Sequence, residues 1–168
     1  LAELTTQTQR CQRLIDSFLA YSKDVRTRLE TVVIQGVIDK ACAVLRADRD
    51  LTGIELQLAD SSDDGAPVSP AVRCDPEHLQ IVLANVLTNA VDGIRAAGRE
   101  RGLIQVLTSS RGEAVEVRIR DNGNGVPPEL HASVFEPFFT TKVIGKGTGL
   151  GLSVARGLLD GMGGTIAI

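Results

Sequence analysis

Asn85 and Asn89 stand one helical turn apart in an otherwise apolar run, Asn85-Val-Leu-Thr-Asn89-Ala. A carboxamide in such a place offers a neutral oxygen to a hard cation. His78 precedes Asn85 by seven residues and Asp92 follows Asn89 by three, so the four side chains are expected to form one narrow polar stripe. Asn is a mediocre helix former, and two of them on a mostly apolar helix need partners, unless the stripe is simply the solvent face of an amphipathic helix. A second block, Asp121-Asn-Gly-Asn-Gly125, ends a strand-like run. Its carboxylate can accept a hydrogen bond from an exocyclic amine while Gly123 and Gly125 allow the backbone close to a ring, or it is an ordinary Asp-Asn-Gly turn. A third, Gly145-Lys-Gly-Thr-Gly-Leu-Gly151, opens an apolar helical pattern. Free N–H groups at a helix start bind phosphate oxygens, helped by the helix dipole. It is not a Walker loop, because Gly follows Lys146 and Thr140 stands where a Gly is required. The dinucleotide fingerprint fails as well, with Leu150 in the place of its third Gly. Between these blocks lies Phe135-Glu-Pro-Phe-Phe-Thr-Thr-Lys142, three of the chain's four Phe within five residues.

The elements that must hold these blocks are legible from periodicity. Asp75 is a good N-cap and Pro76 suits the first helical position, so a helix starts there. Leu79, Val82, Leu83, Val86, Leu87, Ala90, Val91 and Ile94 make its broad apolar face, and Gly98 ends it. Upstream, Val33, Ile34, Val37, Ile38, Ala41, Val44 and Leu45 predict a helix ending near Asp48, and 53–58 alternates at period two as a strand. Residues 60–70 read as a polar loop, and 71–74 as a short strand. Leu103 to Arg120 predicts a hairpin turning near 109–113, followed by a last helix with Leu150, Leu152, Val154, Leu158 and Leu159 running to Gly161. At the N-terminus Leu4, Cys11, Phe18 and Val25 recur every seven residues, with Leu14 and Tyr21 between them and Ile15 and Leu19 widening the stripe. A helix from Leu1 to Val25 would span about 37 Å, and its narrow seam favours pairing with another helix over packing on this domain.

Composition narrows the function classes. The 168 residues, 43% hydrophobic, suffice for one core, which must be aliphatic because there is no Trp and one Tyr. A net charge of -3 argues against a nucleic-acid partner. No run reaches the roughly 20 apolar residues of a membrane span, and the first residues lack a signal-peptide pattern. Cys11, Cys42 and Cys74 are an odd number without metal spacing, which fits reduced thiols in a cytoplasmic setting.

The four blocks in this order resemble the N, G1, F and G2 boxes of the ATP-binding catalytic domain of bacterial sensor histidine kinases, within the superfamily shared with DNA gyrase, Hsp90 and MutL. The form Phe-Phe-Thr-Thr-Lys followed by Gly-Thr-Gly-Leu-Gly is most similar to the nitrogen-regulation and oxygen-sensing branch. The resemblance implies a two-layer α/β sandwich with a mixed, mostly antiparallel sheet, preceded by a helical segment. Its division would give residues 1–28 to the second helix of a dimerisation and phosphoacceptor hairpin, and 29–168 to the catalytic domain, lacking its last strand because 164–168 begins one without a partner. It also implies Mg2+ at Asn89 between the phosphates of ATP, with Asn85 beside the phosphate chain and ADP as product. Asp121 would read adenine. The nucleotide would be bound by Asn85, Asn89, Asp92, Asp121, Gly123, Gly125, Lys142, Lys146, Gly147, Thr148, Gly149, Leu150 and Gly151, with either lysine reaching a phosphate. Many members carry Lys or Arg where this chain has Asp92.

The resemblance further implies a homodimeric parent, membrane-anchored or soluble, that phosphorylates a histidine and passes the group to a response regulator receiver domain. Neither His78 nor His131 lies in an acceptor context, so the acceptor is expected outside this sequence. Position 85 separates this reading from its rival. Clamp ATPases of the gyrase, Hsp90 and MutL kind place a water-activating Glu four residues before the metal Asn, and an amide there cannot take a proton. The other alternative is a module that binds nucleotide or dimerises without transferring phosphate.

Overall fold

The computed structural model describes residues 27–60, 70–112, 114–142 and 147–168. The expected N-terminal helix, 1–25, falls outside the described residues, as do most of the polar loop and residues 143–146 with Lys146.

Among the described residues, five strands and three helices follow in the order β1 (Glu30–Val33), α1 (Ile34–Asp48), β2 (Ile54–Asp60), β3 (Ala71–Cys74), α2 (Pro76–Ala96), β4 (Gly102–Arg111), β5 (Ala114–Asp121) and α3 (Gly151–Gly161), with two short 3-10 turns between β5 and α3. Hydrogen bonding groups the strands in two sheets. β1 pairs with β3 antiparallel, and β4 lies between a parallel β2 and an antiparallel β5. Two of the three pairings are antiparallel, and the helices form the second layer.

Each helix exists because one stripe of it is apolar. On α1, Ile34, Val37, Ile38, Ala41, Cys42 and Leu45 are buried at helical spacing. α2 is the central element, flanked by α1 and α3 and lying on β4 and β5. Its start is as the residues demand: Asp75 accepts hydrogen bonds from the N–H groups of Glu77 and His78, both at 3.1 Å, and Pro76 opens the first turn. Gly98, at φ 61°, marks its exit. Leu87, Ile94 and Ile38 are almost fully buried, in one core that also takes in Ile104 and Val106 of β4. Side chains of this size each contribute about 1.5–3 kcal/mol on burial. Every large side chain in the described core is aliphatic.

Several expectations are corrected. Val33 belongs to β1 rather than to the helix, because its partner Ala71 draws Glu30–Val33 into a ladder. The hairpin itself is as expected, turning within 109–113 at Gly112 (φ 61°), with Arg111 opposite Ala114. Residues 164–168 form no strand: among the described residues no strand pairs with them, and a strand needs its ladder. His78 leaves the polar stripe altogether. It is buried, with Nδ1 3.7 Å from the Asp75 carboxylate, in a first turn covered by Arg28, whose N–H donates to Asp75 at 2.9 Å, and by Met162, whose sulfur accepts from the Asp75 N–H.

Candidate nucleotide site

Three successive turns of α2 each meet a different segment of the chain. Asn85 faces the start of α3, where a Cβ on Gly151 would lie 3.2 Å from Asn85 Oδ1. One turn further, Asn89 Oδ1 accepts a hydrogen bond from Lys142 Nζ at 3.1 Å, and the same ammonium donates to Asp92 Oδ2 at 2.7 Å. At the next turn the backbone of Gly93 and Ile94 packs against Gly123, so closely that a Cβ there would sit 2.7 Å from Gly93 C and 2.9 Å from Ile94 N. From Asn85 to Gly93 is about 12 Å along the axis, so α2 spaces the blocks like a ruler.

Asp121 ends β5 opposite Ile104, whose side chain is fully buried beneath the helices, so the carboxylate lies on the helix-covered face of the sheet at its open end. It is itself exposed, and Oδ1 accepts from the Gly123 N–H at 2.8 Å. Gly125 is also exposed, at φ 67°.

The third and fourth blocks lock onto each other. Gly147 lies against Thr140 and Lys142, where a Cβ would be 2.8 Å from Thr140 Oγ1 and 3.1 Å from Lys142 Cδ. Gly149, at φ 68°, accepts from the Phe138 N–H at 2.8 Å and leaves no room for a side chain: a Cβ would stand 2.3 Å from Phe138 C. Phe138 itself has φ 69°, a costly geometry for a bulky residue, and 69% of it is exposed. The three Phe of the block are therefore not buried alike. Phe135 and Phe139 are half-buried, and the Phe135 ring carries the Arg156 guanidinium at 5.5 Å from its centroid.

α3 begins at Gly151 rather than Gly147, with Leu150 as its buried first cap. No side chain caps it; Thr148 Oγ1 takes only the Leu150 N–H, at 3.2 Å. Its first-turn N–H groups therefore point out of the helix end beside Asn85, as a phosphate site requires.

Asp92 answers the departure noted in the sequence. An acid stands where a cation is expected, and it gathers two: Lys142 at 2.7 Å and Arg49 Nη1, from the end of α1, at 3.4 Å. Arg49 was not legible from linear spacing, being 43 residues from Asp92. Two cavities of about 380 Å³ lie elsewhere, one lined by Arg28, Asp75 and Glu77 among others, the second by Gly53 and Arg101; neither touches Asn89 or Asp121.

Residues 74–168, more than half of the chain, match the family described as "Histidine kinase-, DNA gyrase B-, and HSP90-like ATPase". The chain belongs to that family. Within it the histidine kinases are the near relatives. The chain is 34% identical over 166 residues to the C4-dicarboxylate transport sensor protein DctB of Pseudomonas aeruginosa, covering 99% of this chain and 26% of DctB. It is 29% identical over 165 residues to the sensor histidine kinase ZraS of Escherichia coli O157:H7, covering 98% of this chain and 34% of ZraS. It thus spans about a quarter to a third of these relatives' lengths. Among solved structures, full-length ShkA in complex with AMPPNP superposes with a TM-score of 0.80 at 26% identity, over 99% of this chain and 34% of that one. The catalytic domain of histidine kinase ThkA superposes at 0.65 and 25% identity, over 79% and 82%. The chain is accordingly an ATP-binding domain of the histidine-kinase type, with the two-layer α/β fold of that group. No helix among the described residues is long and apolar enough to cross a membrane.

Proposed function

We propose that the groove between α2, the Asp121 loop and the start of α3 binds Mg-ATP, and that the parent protein transfers the γ-phosphoryl group to a histidine carried by a dimerisation helix. The observation that carries this reading is the alignment of Asn85, Asn89 and Asp92 on α2 with an uncapped helix N-terminus at one end and Asp121 at the other. Asp121 takes the adenine amine, the open Gly125 backbone lets the ring approach, and the first turn of α3 takes the phosphates with Gly147, Thr148, Gly149 and Gly151.

The residues present fit magnesium. Asn89 turns its amide oxygen to a cation already, the Lys142 ammonium, and oxygen donors suit a hard ion. No group of three or more His, Cys, Asp or Glu among the described residues could hold a metal alone, which suits an ion that arrives with the phosphates and keeps Asn89 as its protein ligand. When bound, it would supply charge neutralisation between the phosphates. The chain's own contribution is positional. Asn85 cannot act as a base on water, so the site favours an incoming imidazole nitrogen, which bonds to phosphorus while ADP leaves with the bridging oxygen.

In the parent, residues 1–28 would form the second hairpin helix and pair through Leu4, Cys11, Leu14, Phe18, Tyr21 and Val25 into a homodimer, with 29–168 as the catalytic domain in the cytoplasm. A response regulator receiver domain is the onward acceptor, as supported by the solved complex of ThkA with response regulator protein TrrA, whose kinase superposes at TM-score 0.71.

Thermal unfolding tests nucleotide binding. At a hundred times its dissociation constant, Mg-ATP should stabilise the chain by about 2.7 kcal/mol, or roughly 5–10 °C. Asp121→Ala should lose that shift and the surface control Glu129→Ala should keep it. An equal response to GTP, or none to millimolar ATP, overturns the assignment. In the full-length parent, Asn89→Ala should nearly eliminate acid-labile phosphohistidine; undiminished labelling would refute the metal role.

A further inference from the structure

The described residues place a cation where the metal reading needs an empty ligand. Lys142 Nζ spans Asn89 Oδ1 at 3.1 Å and Asp92 Oδ2 at 2.7 Å, and Arg49 Nη1 meets the other Asp92 oxygen at 3.4 Å. These groups come from three separate segments, since Lys142 is 53 residues from Asn89 and Arg49 is 43 from Asp92. Gly147 backs the Lys142 side chain, with only 3.1 Å between its Cδ and an added Cβ, so the lysine is held along its stem as well as at its tip.

We propose that Lys142 is the placeholder of the metal position in the nucleotide-free domain, and that Asp92, braced by Arg49, is the positioning residue that seats it there. The inference rests on Asn89 as the metal ligand. Asn89 has one amide oxygen, and an ammonium and a divalent ion sharing it would lie within about 4–5 Å of each other, where like charges repel strongly in a partly buried site. Lys142 must therefore leave Asn89 before that oxygen can ligate a metal. It need not leave Asp92, which is the shorter and charge-assisted of its two bonds. Asp92 is thus the pivot: it holds the lysine on Asn89 when the site is empty and retains it when Asn89 is claimed. The arrangement also explains why an acid is tolerated at the edge of a polyphosphate site. Arg49 Nη1, 3.4 Å from the Asp92 carboxylate, offsets that charge without the help of Lys142.

The strength of the hold follows from its exposure. The Lys142 and Asp92 side chains are 34% and 26% exposed, so the pair is worth no more than a partly screened ion pair. Freeing Asn89 should therefore change affinity by about threefold, ~0.7 kcal/mol. The probe is a fluorescent ADP, which lacks the γ-phosphate that would attract a freed lysine, bound to the whole 168-residue chain and read by anisotropy. With Mg2+, Lys142→Met should bind it about threefold tighter than the unaltered chain, and Asp92→Asn, which removes the charge holding the lysine, should shift in the same direction. In EDTA neither variant should gain. Equal or weaker Mg-ADP binding by Lys142→Met overturns the placeholder role and makes the lysine a plain phosphate ligand or a bystander. Asn89→Ala isolates the underlying reading: it should abolish the difference between Mg2+ and EDTA. If Asn89→Ala keeps that difference, the metal ligand lies elsewhere and the reading under the proposal fails; if it abolishes it while Lys142→Met shows no gain, the placeholder alone fails.

Discussion

Gly149→Ala is the sharpest perturbation the site offers, because its cost can be assembled from geometry. At φ 68° an L-residue gives up about 1–2 kcal/mol relative to glycine. The added Cβ would also stand 2.3 Å from Phe138 C, 2.5 Å from its O and 2.7 Å from its Cα, all backbone atoms that cannot rotate aside. Overpacking of this kind costs about 1–3 kcal/mol, so the sum is roughly 2–5 kcal/mol. The chain can escape part of it by letting the Phe138 N–H release the Gly149 carbonyl, which opens the segment and disorganises the phosphate end of the groove. Gly157→Ala is the internal control. It sits within α3 with nothing within 4 Å of an added Cβ, so it should stabilise by about 0.4–1 kcal/mol through helix propensity. Gly151→Ala lies between: its Cβ meets the Asn85 side chain, nearest at Oδ1, 3.2 Å away, so stability should hold while Asn85 shifts by a few tenths of an ångström. Urea unfolding followed by circular dichroism, with nucleotide titration of each variant, ranks the three. If Gly149→Ala and Gly157→Ala moved stability alike and Gly149→Ala bound ATP normally, the packing of the fourth block on the third would be wrong.

Two further predictions concern titratable groups. Burial alone would raise the Asp75 carboxyl, but hydrogen bonds from the Arg28, His78 and Glu77 N–H groups and the nearby His78 charge outweigh it, and the group is held below its ordinary 3.8. A depressed carboxylate contributes stability that is present above its unfolded value and lost as pH falls through its folded value. Asp75→Asn, which keeps a capping oxygen, should therefore be less stable than the unaltered chain at pH 7 by about 0.3–1 kcal/mol, with the difference vanishing below pH 3.8; a gap that persists or widens in acid, followed by thermal melts, would contradict the charge argument. Burial pushes the thiols of Cys42 and Cys74 up from their ordinary 9.0. Neither should react with iodoacetamide at pH 8 in the folded chain, and mass spectrometry showing fast labelling of Cys42 without unfolding would contradict its complete burial.

What the sequence disclosed was what is written in short-range spacing. The Asp75-Pro76 start, the apolar stripe of α2 and the Gly98 exit are local signals, and the structure follows them. The Asn85 to Asn89 interval placed both side chains on one face, and the glycine-rich fourth block led to a helix start, at its last glycine, Gly151. What stayed hidden depends on partners distant in the chain. Val33 looked helical until Ala71 claimed it for a ladder, and His78 shared the spacing of the stripe but is buried beside the Asp75 carboxylate. Asp92 could be noticed as an anomaly, yet Arg49 and Lys142, which make sense of it, have no sequence signature that points to it. The left-handed backbone of Phe138 was equally unreadable, because nothing about a Phe in that block announces φ 69°.

The ruler-like role of α2 has a consequence for the order in which the molecule assembles. The contacts of Lys142 with Asn89 and Asp92 close chain segments separated by 53 and 50 residues, whereas α2 and the β4–β5 hairpin are built from neighbours in sequence. Long closures cost chain entropy before they return any contact. α2 and the β4–β5 hairpin can therefore reach their native arrangement while the chain after Asp121 is still searching for its place. The groove is the late event of folding and, by the same reasoning, the early event of opening. Amide exchange should accordingly be faster around Thr140 to Lys142 and Gly147 to Gly149 than in the middle of α2, so a domain that still looks folded by its helical signal can already have lost the ability to hold a nucleotide.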